Sequence, residues 1–300
     1  MVVATGFFDG VHLGHRFVIS RLVEAARQRG EESMVVSFWP HPRTVLQDGA
    51  RDLRLLSSLE EKKALLLSLG VDRVEILPFT REFSRLSTEE YLRDVLKARF
   101  GATAILLGYD NRMGSNPAGP EEIGHIAESL GLDVIRTGSI SAQDGPVISS
   151  TRIRKALAEG DVCAASAMLG YDYGLLGVVV AGNRLGRTIG FPTANMQLYE
   201  PLKLLPANGV YLVGVKTLGR ELYGMCNIGN RPTVNLGDAI SIETNIFGFN
   251  EFIYGLDLEL RFLGRIREEQ RFDGMEGLRA QLSKDREQAL EMLAKINAAL

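Results

Sequence analysis

Gly6-Phe7-Phe8-Asp9-Gly10-Val11-His12-Leu13-Gly14-His15 follows the short apolar run Val2-Val3-Ala4 near the start of the chain. A strand that breaks into glycines and then begins a helix leaves backbone N–H groups and a positive helix end aimed at one point, an arrangement suited to phosphate. His12 and His15, three residues apart, share a face if the helix begins here. Two imidazoles beside those amides can grip a triphosphate and stabilise charge growing on it. The chain has only four histidines, and two of them are in this stretch. Gly6, Phe7, Asp9, Gly10, His12 and His15 are therefore candidate ATP-binding residues, with His12 and His15 the catalytic candidates. The plainer alternative is a glycine turn carrying two surface histidines.

Outward from this stretch, apolar β-rich runs alternate with helix-length segments. Strands are expected at Met34–Phe38, Arg73–Leu77, Thr103–Leu107 and Leu132–Arg136, and helices near Arg16–Arg29, Leu59–Leu69, Thr88–Phe100 and Glu121–Leu130. The alternation predicts an α/β fold, a Rossmann-like, doubly wound parallel sheet. Ligands of such sheets bind beyond the carboxyl ends of the strands. The loops there are Gly6–Gly10, Pro40-His41-Pro42, Pro78-Phe79-Thr80 and Gly108-Tyr109-Asp110-Asn111, converging on one crevice. Phe38-Trp39-Pro40-His41-Pro42 reads equally well as a strand stopped by prolines and as a rigid apolar wall for a flat aromatic ring. Asp110 and Asn111 suit a helix cap or a turn. Ser149 or Ser150 reads as an N-cap. With Thr151, Arg152 and Arg154 behind it, this helix start also forms a phosphate clamp, the reading favoured beside an ATP site.

The 300 residues are 45% hydrophobic and 24% charged with a net charge of −3, the make-up of a globular protein of about two domains. No basic footprint for nucleic acid is present, so small molecules are the expected partners. Cys163 and Cys226 stand far apart in no metal or redox spacing. No signal peptide or apolar run of membrane length appears, and a cytoplasmic location without membrane partners is expected.

From Tyr173 the texture changes. Leu256-Asp257-Leu258-Glu259-Leu260-Arg261-Phe262 alternates apolar with charged residues, as a strand wet on one face does. Tyr211–Leu218 alternates less cleanly. A terminal helix follows with Leu278, Leu282, Leu290, Leu293 and Ile296 as its apolar set. This half is expected to be an antiparallel β-barrel with a C-terminal helix, giving domains at 1–170 and 171–300. Its own glycine-rich string runs from Gly182 through Gly186 and Arg187 to Thr193-Ala194-Asn195. It lacks the four-residue spacing and lysine of a P-loop, but glycines with arginine still suit phosphates. Thr193 and Asn195 offer the sparse neutral oxygens that Mg²⁺ accepts when phosphate and water supply the rest. Glu243, a carboxylate inside an apolar strand run, is costly there without a partner or a role. It is the candidate general base, with an outward-facing strand residue as the alternative.

The H-x-G-H spacing resembles the nucleotidyltransferase superfamily of adenylyltransferases and class I aminoacyl-tRNA synthetases. Over nearly its whole length the chain resembles the bifunctional riboflavin kinase/FMN adenylyltransferase family, the prokaryotic FAD synthetases. GFFDGVHLGH, FWPHP, GYDNRMG and ISSTRIR resemble the adenylyltransferase module; GRTIGFPTAN, NIGNRPT, IETNIFGF, IYG and IREEQRF resemble the kinase module. The resemblance implies phosphorylation of riboflavin to FMN with Mg²⁺ and ATP, and adenylylation of FMN to FAD with release of pyrophosphate. It implies that Ser150, Thr151 and Arg154 complete the first ATP site and that Pro40, Pro42, Asp110 and Asn111 border its flavin. In the kinase it gives Gly182, Gly186, Arg187, Thr193, Asn195 and Arg231 to ATP, Thr193 and Asn195 to the metal, and Glu243, Arg267 and Phe272 to the flavin. Three departures stand out: a nearly absent N-terminal extension, an altered GYDNRMGSNPAG loop, and Gly248 and Phe252 where relatives carry acidic residues. An adenylyltransferase for another phosphate ester would leave Thr193, Asn195 and Glu243 idle, and a non-catalytic flavin-binding protein would not need His12, His15 and Glu243 together.

Overall fold

The computed structural model describes residues 1–46, 53–108, 112–115, 118–137, 148–182, 185–231 and 239–299. The chain divides into two compact units, Met1–Ser150 and Thr151–Leu300. Helices α6 (Ser150–Ala158) and α7 (Val162–Leu169) lie between that division and the boundary expected at 170.

In the first unit, β1 (Val2–Thr5), β2 (Ser33–Trp39), β3 (Arg73–Pro78), β4 (Ala104–Leu107) and β5 (Asp133–Arg136) form a sheet in the order β3-β2-β1-β4-β5. Every pairing is parallel. The strand order reverses direction at β1, so the crevice at a switch point of this kind opens between the loops after β1 and β4. Helices α1 (Leu13–Arg29), α2 (Pro42–Leu46), α3 (Leu59–Ser68), α4 (Thr88–Glu90) and α5 (Pro120–Ser129) connect the strands. The period-two alternation of the strands feeds two cores. Val2 and Ala4 join Ile19, Leu22, Ala26 and Leu66 on one face, while Val3 joins Leu92, Leu96 and Ile123 on the other. Each such side chain contributes roughly 1.5–3 kcal/mol by leaving water. The helix expected over Thr88–Phe100 is instead α4, opened by a Ser87/Glu90 capping box, running into a π-helical stretch Tyr91–Arg99.

In the second unit, β6 (Gly174–Val180), β7 (Ala194–Leu198), β8 (Gly209–Thr217), β9 (Arg220–Arg231), β10 (Ala239–Ile246) and β11 (Asp257–Glu268) close a barrel in the order β10-β7-β6-β11-β8-β9. All its pairings are antiparallel. A short helix α8 (Leu185–Thr188) precedes β7, and α9 (Met275–Ala299) ends the chain. β11 alternates cleanly, with Leu258, Leu260, Phe262 and Ile266 buried. β8 is buried on both faces, because its outer residues Val210 and Leu212 pack with Leu282, Ala289, Met292, Leu293 and Ile296 of α9. That is why its sequence alternates poorly. Leu290, expected among the apolar residues of α9, is 45% exposed and lies off the packed face. The buried Asp285 occupies that face instead. It accepts hydrogen bonds from Arg267 Nε (2.8 and 3.0 Å) and Nη2 (2.8 Å) and from Gln281 (2.8 Å), tying α9 to β11.

Candidate active sites

The loop after β1 holds the first site. α1 starts at Leu13, so His12 is its N-cap rather than a residue on its face, and His12 Nδ1 accepts from the His15 amide at 3.3 Å. The two imidazoles nonetheless meet, stacked at 3.6 Å between centroids. Burial pushes His12 down to about 4. His15 is held well below its ordinary value, first by burial and then by the nearby His12 and Lys62. Both rings are therefore neutral at pH 7, with N–H groups to donate to phosphate oxygens. Among the described residues, the buried Nδ1 atom of His15 has no hydrogen-bond partner.

Reaching this arrangement bends the backbone. Phe8, Gly10 and Val11 adopt φ of 51°, 76° and 38°, and a left-handed conformation costs on the order of 1–3 kcal/mol at each non-glycine position. Asp9 holds the loop in place: its buried carboxylate accepts from the Leu56 amide (3.0 Å) and the Ser57 amide (3.2 Å). The Gly10 amide donates to Ser57 Oγ at 3.0 Å, and Ser150 Oγ to the Asp9 carbonyl at 3.2 Å. Asp9, expected to meet ATP, thus has its carboxylate turned to the backbone ahead of α3. Gly6 leaves room for the Phe8 ring, which a Cβ would approach to 3.0 Å. Thr151 and Arg154 fall in α6, beyond the division between the units.

Beside the loop, beyond the strand ends, lies a cavity of about 510 Å³. Its aromatic wall is Phe7, Phe38, Phe79, Phe83 and Tyr91. The rings of Phe38, Phe79, Phe83 and Tyr91 contact one another at 5.6–6.2 Å. Tyr91, at the start of the π-helical stretch, shares a 2.8 Å hydrogen bond with Thr5 at the end of β1, and burial raises its phenol pKa. Pro42 lines the cavity; Pro40 is exposed and does not. Asp110 and Asn111 lie outside the described residues, while Arg112, Met113, Gly114 and Ser115 of the same loop reach the cavity. The shape suits a flat, largely apolar ring. The sequence pointed to FWPHP and to the Pro78-Phe79-Thr80 loop but missed Phe83 and Tyr91, whose signal was further aromatics beyond the same strand end.

In the second unit, register brings the expected residues together. Glu243 stands opposite Asn195 on β7 and opposite Asn227 on β9, and directly paired residues of antiparallel strands share a face. Thr193 Oγ1 donates to Glu243 Oε2 at 3.3 Å. The Asn195 amide lies over Gly182, where a Cβ would sit 2.3 Å from it, so any side chain there would displace that amide. A Cβ on Gly186 would strike the Phe191 carbonyl at 2.2 Å. Arg187 and Thr193 border a cavity of about 160 Å³ completed by Phe249, Phe252 and Tyr254, none of them expected from the sequence. Of Arg231, only the backbone pairing with Ala239 is described. Arg267 is engaged by Asp285, with its guanidinium 5.5 Å from the centre of the Phe272 ring. No three His, Cys, Asp or Glu residues converge on a metal site among the described residues. The neutral oxygens of Thr193 and Asn195 are of the donor type that a nucleotide-borne Mg²⁺ accepts beside phosphate and water.

Comparison with known proteins agrees with this division. Residues 1–152 match the family model described as FAD synthetase, and residues 169–293 match that described as riboflavin kinase. The chain is 38% identical to the bifunctional riboflavin kinase/FMN adenylyltransferase of Listeria monocytogenes, covering 98% of this chain and 93% of that protein. It is 34% identical to that of Bacillus subtilis, with the same coverages, and 36% identical to that of Escherichia coli K12, covering 95% and 90%. A crystal structure titled as a macrolide-efflux protein from Streptococcus pneumoniae superimposes with a TM-score of 0.88 at 34% identity, covering 95% of this chain and 92% of that one. Among the described residues, no helix is long and apolar enough to cross a membrane.

Proposed function

This chain belongs to the family of bifunctional riboflavin kinase/FMN adenylyltransferases, and from that premise we propose that it makes both flavin cofactors in sequence. The kinase phosphorylates the ribityl 5′-hydroxyl of riboflavin with ATP, giving FMN and ADP. The adenylyltransferase joins FMN to the AMP part of a second ATP, giving FAD and pyrophosphate. What carries the reading is that two kinds of chemistry sit in two units. The first has stacked neutral imidazoles beside an aromatic cavity; the second has a carboxylate hydrogen-bonded to a threonine and level with two asparagines.

In the first unit the FMN phosphate oxygen attacks the α-phosphorus of ATP and the bond to pyrophosphate breaks. No protein nucleophile is needed, so the site works by positioning and electrostatics. His12 and His15 donate N–H bonds to the phosphates, and Ser150, whose Oγ donates to the Asp9 carbonyl, completes the grip. The isoalloxazine ring takes the aromatic cavity beside Pro42. In the second unit Glu243 removes the 5′-hydroxyl proton as the oxygen attacks the γ-phosphorus, a role worth ~10²–10⁴ in rate. The Thr193 hydroxyl fixes the orientation of that carboxylate. Thr193 and Asn195 would hold the Mg²⁺ that arrives with the nucleotide, and the ion would supply charge neutralisation for the transferring phosphoryl group. Gly182, Gly186, Arg187 and Arg231 serve the same ATP, and Arg267 and Phe272 face the flavin. The adenylyltransferase is assigned to 1–170 and the kinase to 171–300, in the cytoplasm.

The test is one incubation of the purified protein with riboflavin, ATP and Mg²⁺, with flavins separated over time. FMN should rise and then give way to FAD, with ADP and pyrophosphate in matching amounts. Riboflavin left unchanged, or binding without turnover, overturns the reading.

A further inference from the structure

We propose that Lys62 is a positioning residue for adenylyl transfer: from the inner face of α3 it fixes the Phe7 and Phe38 carbonyls, and so holds the loop that delivers His12 and His15 to the phosphates. This rests on the adenylyl-transfer reading above. Lys62 is 1% exposed. Its Nζ donates to the Phe7 carbonyl (3.1 Å), Ser37 Oγ (3.1 Å) and the Phe38 carbonyl (3.4 Å). It also lies 4.0 Å from the centre of the Phe7 ring. The three oxygens come from the loop after β1 and the end of β2, two walls of one crevice.

The loop is held from both sides. Asp9 reaches from it to the amides of Leu56 and Ser57 just ahead of α3, and Lys62 reaches from α3 back to Phe7. α3 is itself fixed by the Ser58/Glu61 capping box, so the ammonium has a firm mount. Phe8, Gly10 and Val11 have left-handed backbones that persist only if the surroundings over-determine them. Without the ammonium, the Phe7 carbonyl loses its lysine donor immediately before that bend. Lys62 acts through Phe7 and needs no contact with substrate. Its charge has a second effect, since a nearby cation disfavours a proton on His15.

The test uses the full-length protein. K62M keeps the bulk of the side chain and removes its charge and donors. FAD formation from FMN should lose about tenfold to a hundredfold in kcat, with KM for FMN changed less than about twofold. Riboflavin phosphorylation by the same preparation should be unchanged. A second readout needs no turnover: Trp39 is the only tryptophan, and its ring centre is 5.9 Å from Nζ. Burial pushes Lys62 down to about 8, so Trp39 emission should titrate near pH 8 in the wild type and not in K62M. The other titratable groups facing this spot are Asp9, His15 and, across the Phe7 ring, His41. Unchanged kcat in folded K62M, or the same Trp39 titration in both proteins, would overturn the proposal. Should K62M not fold, S37A carries the test, because it removes one of the three acceptors and keeps the charge. A fall of about threefold or more in kcat supports the proposal, and none refutes it. A wild type that makes no FAD defeats the functional reading instead, and the Trp39 titration still judges the placement of Lys62.

Discussion

Removing the Asp285 carboxylate should destabilise the barrel unit far more than an ordinary helix substitution. Asp285 is 1% exposed and the Arg267 side chain 14%. D285A deletes the acceptor of four hydrogen bonds and leaves the guanidinium the charge-neutral Glu268 carbonyl at 2.9 Å and the Phe272 ring. Breaking a buried pair by removing one side costs about 3–5 kcal/mol. The retained carbonyl contact and the partial exposure of Arg267 place this case at about 3. For a unit of this size, about 2–4 °C per kcal/mol gives a fall of roughly 6–12 °C. Calorimetry on the full chain, with the melting of the second unit followed by far-ultraviolet circular dichroism, measures it. R267M/D285L replaces both charges by apolar groups and should recover most of the loss. A fall below about 1 kcal/mol in D285A, or no recovery in the double variant, would refute the burial argument. The double variant also separates two roles of Arg267: if it faces riboflavin as proposed, stability returns while KM for riboflavin stays high.

Three further outcomes follow from the sites. E243Q should lower riboflavin phosphorylation by ~10²–10⁴ and spare FAD formation from supplied FMN, while H15A should do the reverse; paired loss in a folded variant breaks the two-site assignment. Because His12 titrates near 4 in the folded chain and near 6.5 when unfolded, the unfolded state binds more protons between those values, so stability falls as pH drops. Urea unfolding of the first unit, followed by Trp39, should be weaker at pH 5 than at pH 7, with about 2 kcal/mol of the difference due to His12; H12Q should remove that share and leave the part due to His15. Fragments 1–170 and 161–300 should each retain their own reaction; two folded fragments without turnover would show that the boundary is misplaced or the chemistry is shared.

The parallel sheet was legible because its inner strands β1, β2 and β4 are largely buried and read as apolar runs, alternating with helix-length segments. The barrel was only half legible. β11 alternates in the sequence, but closure depends on pairing β7 with β10 and β11 with both β6 and β8, which no local pattern encodes. β8 was blurred by α9 packing on its outside. At the sites, His12, His15, Thr193, Asn195 and Glu243 could be named because their residue types are costly or unusual where they stand. Lys62 and Asp285 were missed because Glu60-Glu61-Lys62-Lys63 and Lys284-Asp285-Arg286 look like solvated helix faces. Their spacing held the clue: Lys62 is four residues before the buried Leu66, and Asp285 four before the buried Ala289. Two cavity aromatics were hidden for another reason, since Phe83 and Tyr91 meet Phe38 only once β2 and β3 pair.

The two sheets differ in what they offer a neighbouring chain. Among the described residues the open sheet ends in β3 and β5, each turning a row of amides and carbonyls outward, and such edges are templates for intermolecular pairing. Their charges blunt the hazard: Arg73 and Glu75 lie on β3 with Pro78 at its end, and Asp133 and Arg136 lie on β5, Asp133 paired with Arg29 at 2.8 Å. The closed barrel has no such edge to guard until a strand peels away. On heating, the adenylyltransferase half is therefore the one expected to seed aggregation, and substituting Glu75 by an apolar residue should bring that onset to lower temperature while the flavokinase half still melts alone.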